Sequence, residues 1–263
     1  MRCPTGHNVY GHIVGGIGAG IMKAPRGIIL YEGPSKLDGS PIVVIATLKS
    51  SNRKTGDMVQ TYIIRSDMDP VSAIKAMLDG AVCGTCVSRQ NLGGKCYVNV
   101  GQSVLAIYRA FKRGIYPTAD EGNLEHLRGR AIRFGSYGDP SAAPVSVWAT
   151  LASLGSSHTG YTHQITHRAF DPAILDYCMV SVDTPRSALK AHNAKMRTFR
   201  VKTEDGPLLP NEIECKADTE GLTCLECGIC SGGQGVNVAI TVHGRGAKKY
   251  EAKYARANLI AVG

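Results

Sequence analysis

Cysteine spacing constrains this chain more than any other feature. Cys215, Cys224, Cys227 and Cys230 follow one another as Cys-x8-Cys-x2-Cys-x2-Cys. Two-residue gaps turn the chain sharply enough for successive thiolates to wrap one centre. Gly228, Gly232 and Gly233 supply the backbone freedom such turns need. Four thiolates satisfy either tetrahedral zinc or a four-iron cluster. The unbroken Cys-x2-Cys-x2-Cys run matches ferredoxin-type spacing better than a zinc ribbon, whose paired knuckles stand farther apart. The expectation is therefore a 4Fe-4S iron–sulfur centre, with zinc as the alternative metal and unligated thiols as the plain reading.

A second set, Cys83-x2-Cys86-x9-Cys96, has three members. Three thiolates leave a coordination position open for substrate or cofactor, unless Cys3, Cys178 or a histidine closes the site. Cys178 lies in an apolar run and reads as a core residue. Nine cysteines, an odd number at close spacings, fit metal ligation in a reducing compartment better than a disulfide framework. The longest apolar stretch, Ile13 to Met22, is too short and glycine-rich for a membrane span and lacks the flanks of a secretory signal. A cytoplasmic protein is expected.

The chain carries 30 Lys and Arg against 21 Asp and Glu, a net charge of +9. That balance favours anionic partners such as nucleotides or nucleic acid, although the basic residues are scattered and a soluble basic surface explains them too. Residues 1–40 read as a glycine-rich arm. Gly15 to Gly20 superficially suggests a phosphate loop, but no clear strand precedes it.

From residue 41 to 210 strand and helix patterns alternate. Strands are expected at Ile42–Leu48, Met58–Arg65, Ala81–Cys83, Cys96–Val100, Arg130–Gly135, Thr159–Thr162, Tyr177–Val182 and Thr198–Val201. Helices are expected from Asp69-Pro70, over Gln102–Arg113, Ala143–Leu154 and Pro185–Lys195, and near Pro172–Asp176. Residues 211–263 form a cysteine-rich metal-binding segment with a last strand and helix. Repeated strand–helix units imply parallel strands with right-handed crossovers. The fold class is α/β, a partial or complete β/α barrel.

In such folds chemistry collects in the loops that follow the strands. Those loops offer Tyr137 and Asp139, then His163, then Asp183, as candidate catalytic residues. Asp139 and Asp183 each precede or adjoin a proline and also suit a helix cap. Arg200 and Lys54 are the candidate phosphate ligands.

Several segments together resemble a family of cysteine-rich phage and prophage proteins: Ser51–Gly56, Cys83–Asn99, Tyr137–Pro140, Thr159–His163 and Cys224–Cys230. More distantly the chain is similar to radical-SAM proteins, which join a partial barrel to a cysteine cluster. That resemblance implies a four-iron cluster and S-adenosylmethionine as cofactor. The radical-SAM spacing is Cys-x3-Cys-x2-Cys, whereas this chain has Cys83-x2-Cys86-x9-Cys96. The expected function is an iron–sulfur enzyme acting on a nucleotide, nucleic acid or other anionic substrate. The alternative is a zinc-stabilised basic nucleic-acid-binding or phage structural protein without catalysis.

Overall fold

The computed structural model describes residues 24–94, 96–244 and 247–259. Cys3 and the Gly15–Gly20 stretch lie outside them.

The described residues form ten strands: β1 (Gly27–Pro34), β2 (Pro41–Thr47), β3 (Val59–Arg65), β4 (Ala131–Tyr137), β5 (Ser157–Thr159), β6 (Tyr161–Thr162), β7 (Met179–Val182), β8 (Thr198–Lys202), β9 (Glu212–Glu214) and β10 (Asn237–Thr241). The helices are α1 (Pro70–Lys75), α2 (Gly80–Cys83), α3 (Leu105–Lys112), α4 (Glu121–Leu124), α5 (Val145–Leu154), α6 (Pro185–Asn193), α7 (Lys216–Thr219), α8 (Cys224–Cys227) and α9 (Ala247–Leu259). None of the described helices is long and apolar enough to cross a membrane.

The strands pair into two five-stranded sheets, in the orders β1-β2-β3-β4-β5 and β6-β7-β8-β10-β9. The first mixes an antiparallel edge, β1-β2-β3, with the parallel run β3-β4-β5. The second is parallel throughout. The fold is thus α/β, but pairing among the described residues produces two sheets and not one closed barrel.

Only Gly160 separates β5 from β6, so one extended segment serves both sheets. Side-chain space there is closed. A Cβ on Gly160 would stand 2.7 Å from the Cys178 sulfur and 3.0 Å from the Tyr177 carbonyl oxygen. Glycine lets this joint lie flat against β7.

The β2 run Ile42-Val43-Val44-Ile45-Ala46 is buried at every position, as a strand covered on both faces must be. It anchors the larger core, which Phe134, Trp148 and Leu151 complete from β4 and α5. Trp148 donates its indole N–H to the Pro140 carbonyl at 2.9 Å, so its polar edge is satisfied although the ring is fully buried.

Several expected elements differ. Residues 27–34, read as part of the N-terminal arm, form β1 and pair with β2. Ala81–Cys83 is the short helix α2 and not a strand: the Asp79 carbonyl accepts from Val82 and Cys83 N–H, which closes a turn. Cys96–Val100 is irregular and leads into a wide helical turn at Val100–Val104 before α3. Cys178 is buried in the core, as expected.

Candidate functional site

The carboxyl ends of β4, β6, β7 and β10 open onto one cavity of about 380 Å³. Its wall contains Cys83, Cys86 and Cys96 on one side and Cys215, Cys224, Cys227 and Cys230 on another. All seven cysteines singled out by spacing therefore share one space, although more than a hundred residues separate the two sets in sequence.

The first set is positioned by a polar clamp. Arg89 donates to both carboxylate oxygens of Asp79, at 3.0 and 2.5 Å, and to the Gly84 carbonyl at 3.0 Å. Asp79 is buried, so this bidentate pair fixes the loop that follows α2. Gly84 then turns with φ +50°, and a Cβ there would collide with the Gln164 amide. Gln164 uses that closeness. Its amide donates to the Cys83 carbonyl at 3.0 Å and accepts from the Thr85 N–H at 3.0 Å.

Gln164 also donates to Asp139 at 3.1 Å. Asp139 caps the turn at Pro140–Ala142 through the Ser141 N–H at 3.0 Å, as its cap reading anticipated. It accepts further from the Thr162 hydroxyl at 2.8 Å and the His163 N–H at 2.7 Å. One buried carboxylate thus ties the β4 loop, the β6 loop and the Cys83 loop together.

His163 lies between this carboxylate and the thiols. Its Nδ1 is 3.9 Å from Asp139 Oδ2, and the Cys86 thiol is close enough to act on its ring. Burial opposes the charged ring. The Cys86 thiol beside it and the charges of Asp139 and Asp183 outweigh it and push the His163 pKa up to about 9.

The second set hangs from neighbouring backbone. Cys224 and Leu225 donate their N–H groups to the Lys54 and Thr55 carbonyls at 2.9 and 3.2 Å, which docks α8 on the 50–57 loop. A capping box between Thr223 and Glu226 starts that helix. Arg197 donates to the carbonyls of Ile229, Ser231, Gly232 and Val236 at 2.9–3.1 Å, gathering the loop around Cys230. Gly160 donates to the Cys230 carbonyl at 3.0 Å, so the joint between the sheets also bears on this set.

Burial pushes the Cys83, Cys96, Cys215 and Cys224 thiols above their ordinary range, and neighbouring thiols or carboxylates add to the shift. The same causes push Cys230 up to about 11. At Cys224 the nearby charges of Arg133 and Lys54 work against the upward shift, because a cation stabilises a thiolate. Among the described residues no three His, Cys, Asp or Glu side chains are placed to hold a single metal ion.

The other nominated residues divide. Tyr137 and Asp183 line the cavity, and burial holds the Tyr137 phenol firmly protonated. Lys54 lines it too, with Nζ 2.8 Å from His243 Nε2 and 3.6 Å from Asp218. Arg200 stands apart. Side chains alternate along β8, so Phe199 and Val201 face the cavity while Arg200 faces away. Its guanidinium is fully buried and paired bidentately with Glu212 at 2.8 and 2.6 Å.

Reading the sequence missed Gln164, Arg89 and Arg197, which hold neighbouring backbone and carboxylates in place. It also missed Arg133, which alternation along β4 could have placed beside Gly135 and Tyr137 on the cavity face. Comparisons with family models, with curated proteins and with solved structures found no match to this chain.

Proposed function

We propose that this protein is an iron–sulfur protein acting as an enzyme on an anionic small molecule or nucleotide. The observation that carries the proposal is the convergence of seven cysteines on one cavity that also holds Asp139, His163 and Asp183. A purely structural metal has no need of a cavity sized like a small-molecule site, for which roughly 300–1,000 Å³ is usual.

The donor set fits a polynuclear cluster. Its members are soft thiols whose burial and mutual repulsion call for positive charge. Zn–S bonds of ~2.3 Å would draw four sulfurs to within roughly 4 Å of one another. A cluster spreads its ligands more widely, as thiols spread around a cavity wall require. Cys83, Cys86 and Cys96 would hold a centre with an open position, and Cys215, Cys224, Cys227 and Cys230 a second. Bound there, a four-iron cluster supplies one-electron transfer at a potential set by its surroundings.

The chain's own groups have separable tasks in this reading. Asp139 orients His163, and His163 is placed to hold or move a proton beside the first cysteine set. Phe199, Val201, Ile229 and Ile240 form an apolar wall that limits water. The continuity of strands across Gly160 supports a partial β/α barrel with its chemistry at the strand ends. The radical-SAM resemblance extends the proposal to S-adenosylmethionine as a co-substrate.

The test is a set of cysteine variants read by colour. Anaerobically purified protein is expected to be brown, with broad visible charge-transfer absorbance. Cys83→Ser and Cys227→Ser should each remove part of it, and the double variant nearly all. Colourless wild-type protein that binds zinc would instead support a zinc-stabilised binding protein.

One observation favours a second reading. Cys86, His163 and Asp139 stand in the order of a nucleophile, its base and the base's orienting carboxylate. Under that reading His163 takes the Cys86 thiol proton, the thiolate displaces a leaving group from an electrophilic carbon of the substrate, and His163 returns the proton to that group. Iodoacetamide would then label Cys86 selectively in the protein as purified, whereas a cluster ligand would be protected.

A further inference from the structure

Arg133 is the one cavity arginine whose guanidinium makes neither an ion pair nor a hydrogen bond among the described residues. It is half-buried in β4, and its guanidinium carbon lies 5.3 Å from the centre of the Tyr161 ring. Four other arginines with little exposed side chain or with several partners are engaged: Arg65 with Asp67, Arg89 with Asp79, Arg197 with four carbonyls and Arg200 with Glu212.

Its neighbour across the sheet carries an independent sign. Thr159 is the register partner of Arg133 in the parallel pairing of β4 with β5, so the two side chains share one face. Thr159 is 1% exposed, lines the same cavity, and its Oγ1 has no hydrogen-bond partner among the described residues. A buried hydroxyl left unmet costs roughly 1–3 kcal/mol, so such a group calls for an occupant. An unpaired forked cation beside an unmet hydroxyl donor matches an oxyanion, which accepts two parallel N–H bonds and a third bond at its side.

We infer that Arg133 and Thr159 form the subsite that binds the oxyanion, phosphate or carboxylate, of the substrate in this cavity. The inference names the anchoring point for the anionic substrate proposed above and rests on that reading for its biological meaning. The subsite lies beside the C-terminal cysteine set, since Arg133 stacks on Tyr161, and it opens on the cavity that the other cysteine set also lines. A substrate held there by one end would extend into the space that the thiols surround. Lys54, at 58% side-chain exposure and already beside Asp218 and His243, would serve the rim and not the anchor.

The experiment is calorimetric titration of the anaerobically purified full chain with pyrophosphate and, separately, with citrate. Iron and acid-labile sulfide are measured on every preparation. Wild-type protein should bind at least one of the two at millimolar concentration or better, and the preferred anion identifies the oxyanion class. Arg133→Gln should weaken that binding at least tenfold. Thr159→Val, which keeps the side-chain shape, should weaken it several-fold, and Arg133→Lys should recover part of what Arg133→Gln loses. Arg168→Gln, on the exposed surface, should bind as wild type. Far-ultraviolet circular dichroism confirms that each variant is folded.

Unchanged binding in both folded Arg133→Gln and Thr159→Val would overturn the subsite, as would the absence of binding of either anion to wild-type protein. Binding that depends on Arg133 in protein without iron or sulfide would keep the subsite and remove the cluster reading alone. Loss of iron in Arg133→Gln with anion binding intact would make Arg133 a counter-charge to Cys224 and overturn the proposal.

Discussion

At the scale of single residues, Asp139 does more than any motif suggested. Its Oδ1 serves Ser141 and Thr162, and its Oδ2 serves His163 and Gln164. An amide can accept on one side only, and hydrogen bonds to a charged group contribute about 1.5–3 kcal/mol each. Asp139→Asn should therefore destabilise the fold by about 2–4 kcal/mol, measurable as a lowered denaturant midpoint. His163 offers a pH signature in the metal-free protein. Its pKa is raised from 6.5 to about 9, so the folded state binds the proton more tightly than the unfolded state does. The stabilisation is fully present below pH 6.5 and fades as pH rises through about 9. Cys86→Ser should move the His163 titration, followed by its ring proton resonances, back toward 6.5. An unmoved titration would show that the thiol is not its partner.

At the scale of elements, the sequence was legible where a local signal was strong. The apolar run of β2, the Asp69 cap with Pro70, and the Pro185 start of α6 lie where pattern and capping chemistry put them, although Thr184 and not Asp183 caps α6. The cysteine spacings located both metal-candidate loops. Pattern reading failed where long-range contacts decide. Ala81-Val82-Cys83 is apolar enough for a strand, but Asp79 starts a turn there and Arg89 closes it from ten residues away. Arg200 looked like a phosphate ligand because its partner, Glu212, comes from a strand too short to recognise.

The Asp79–Arg89 clamp gives a test at the same scale. Removing one partner of a buried ion pair strands the other charge and costs about 3–5 kcal/mol. Arg89→Met should destabilise by about that amount and lower metal loading through the displaced Cys83–Cys86 loop. The double variant Arg89→Met with Asp79→Asn should recover part of the stability, because no charge is then left unpaired. Thermal and chemical denaturation of Arg89→Met, Asp79→Asn and the double variant measures this coupling.

At the scale of the whole molecule, two sheets meet at Gly160 and two cysteine sets meet across one cavity. The first fact brings about the second. The joint fixes β6 against β7 and bonds to the Cys230 loop, while the β6 loop reaches the Cys83 loop through Gln164. Gly160→Ala would press a methyl group against Cys178 and should cost about 1–3 kcal/mol, with lower metal content as a secondary effect.

The central claim is that this cavity exists to hold iron–sulfur chemistry, and its most direct measurement is iron and acid-labile sulfide per chain in anaerobically purified protein. The account predicts both, in near-equal amounts and at several atoms of each per chain, lost together when cysteines of either set are replaced. Stoichiometric zinc with no sulfide, or fully loaded protein whose iron survives replacement of both sets, would contradict it.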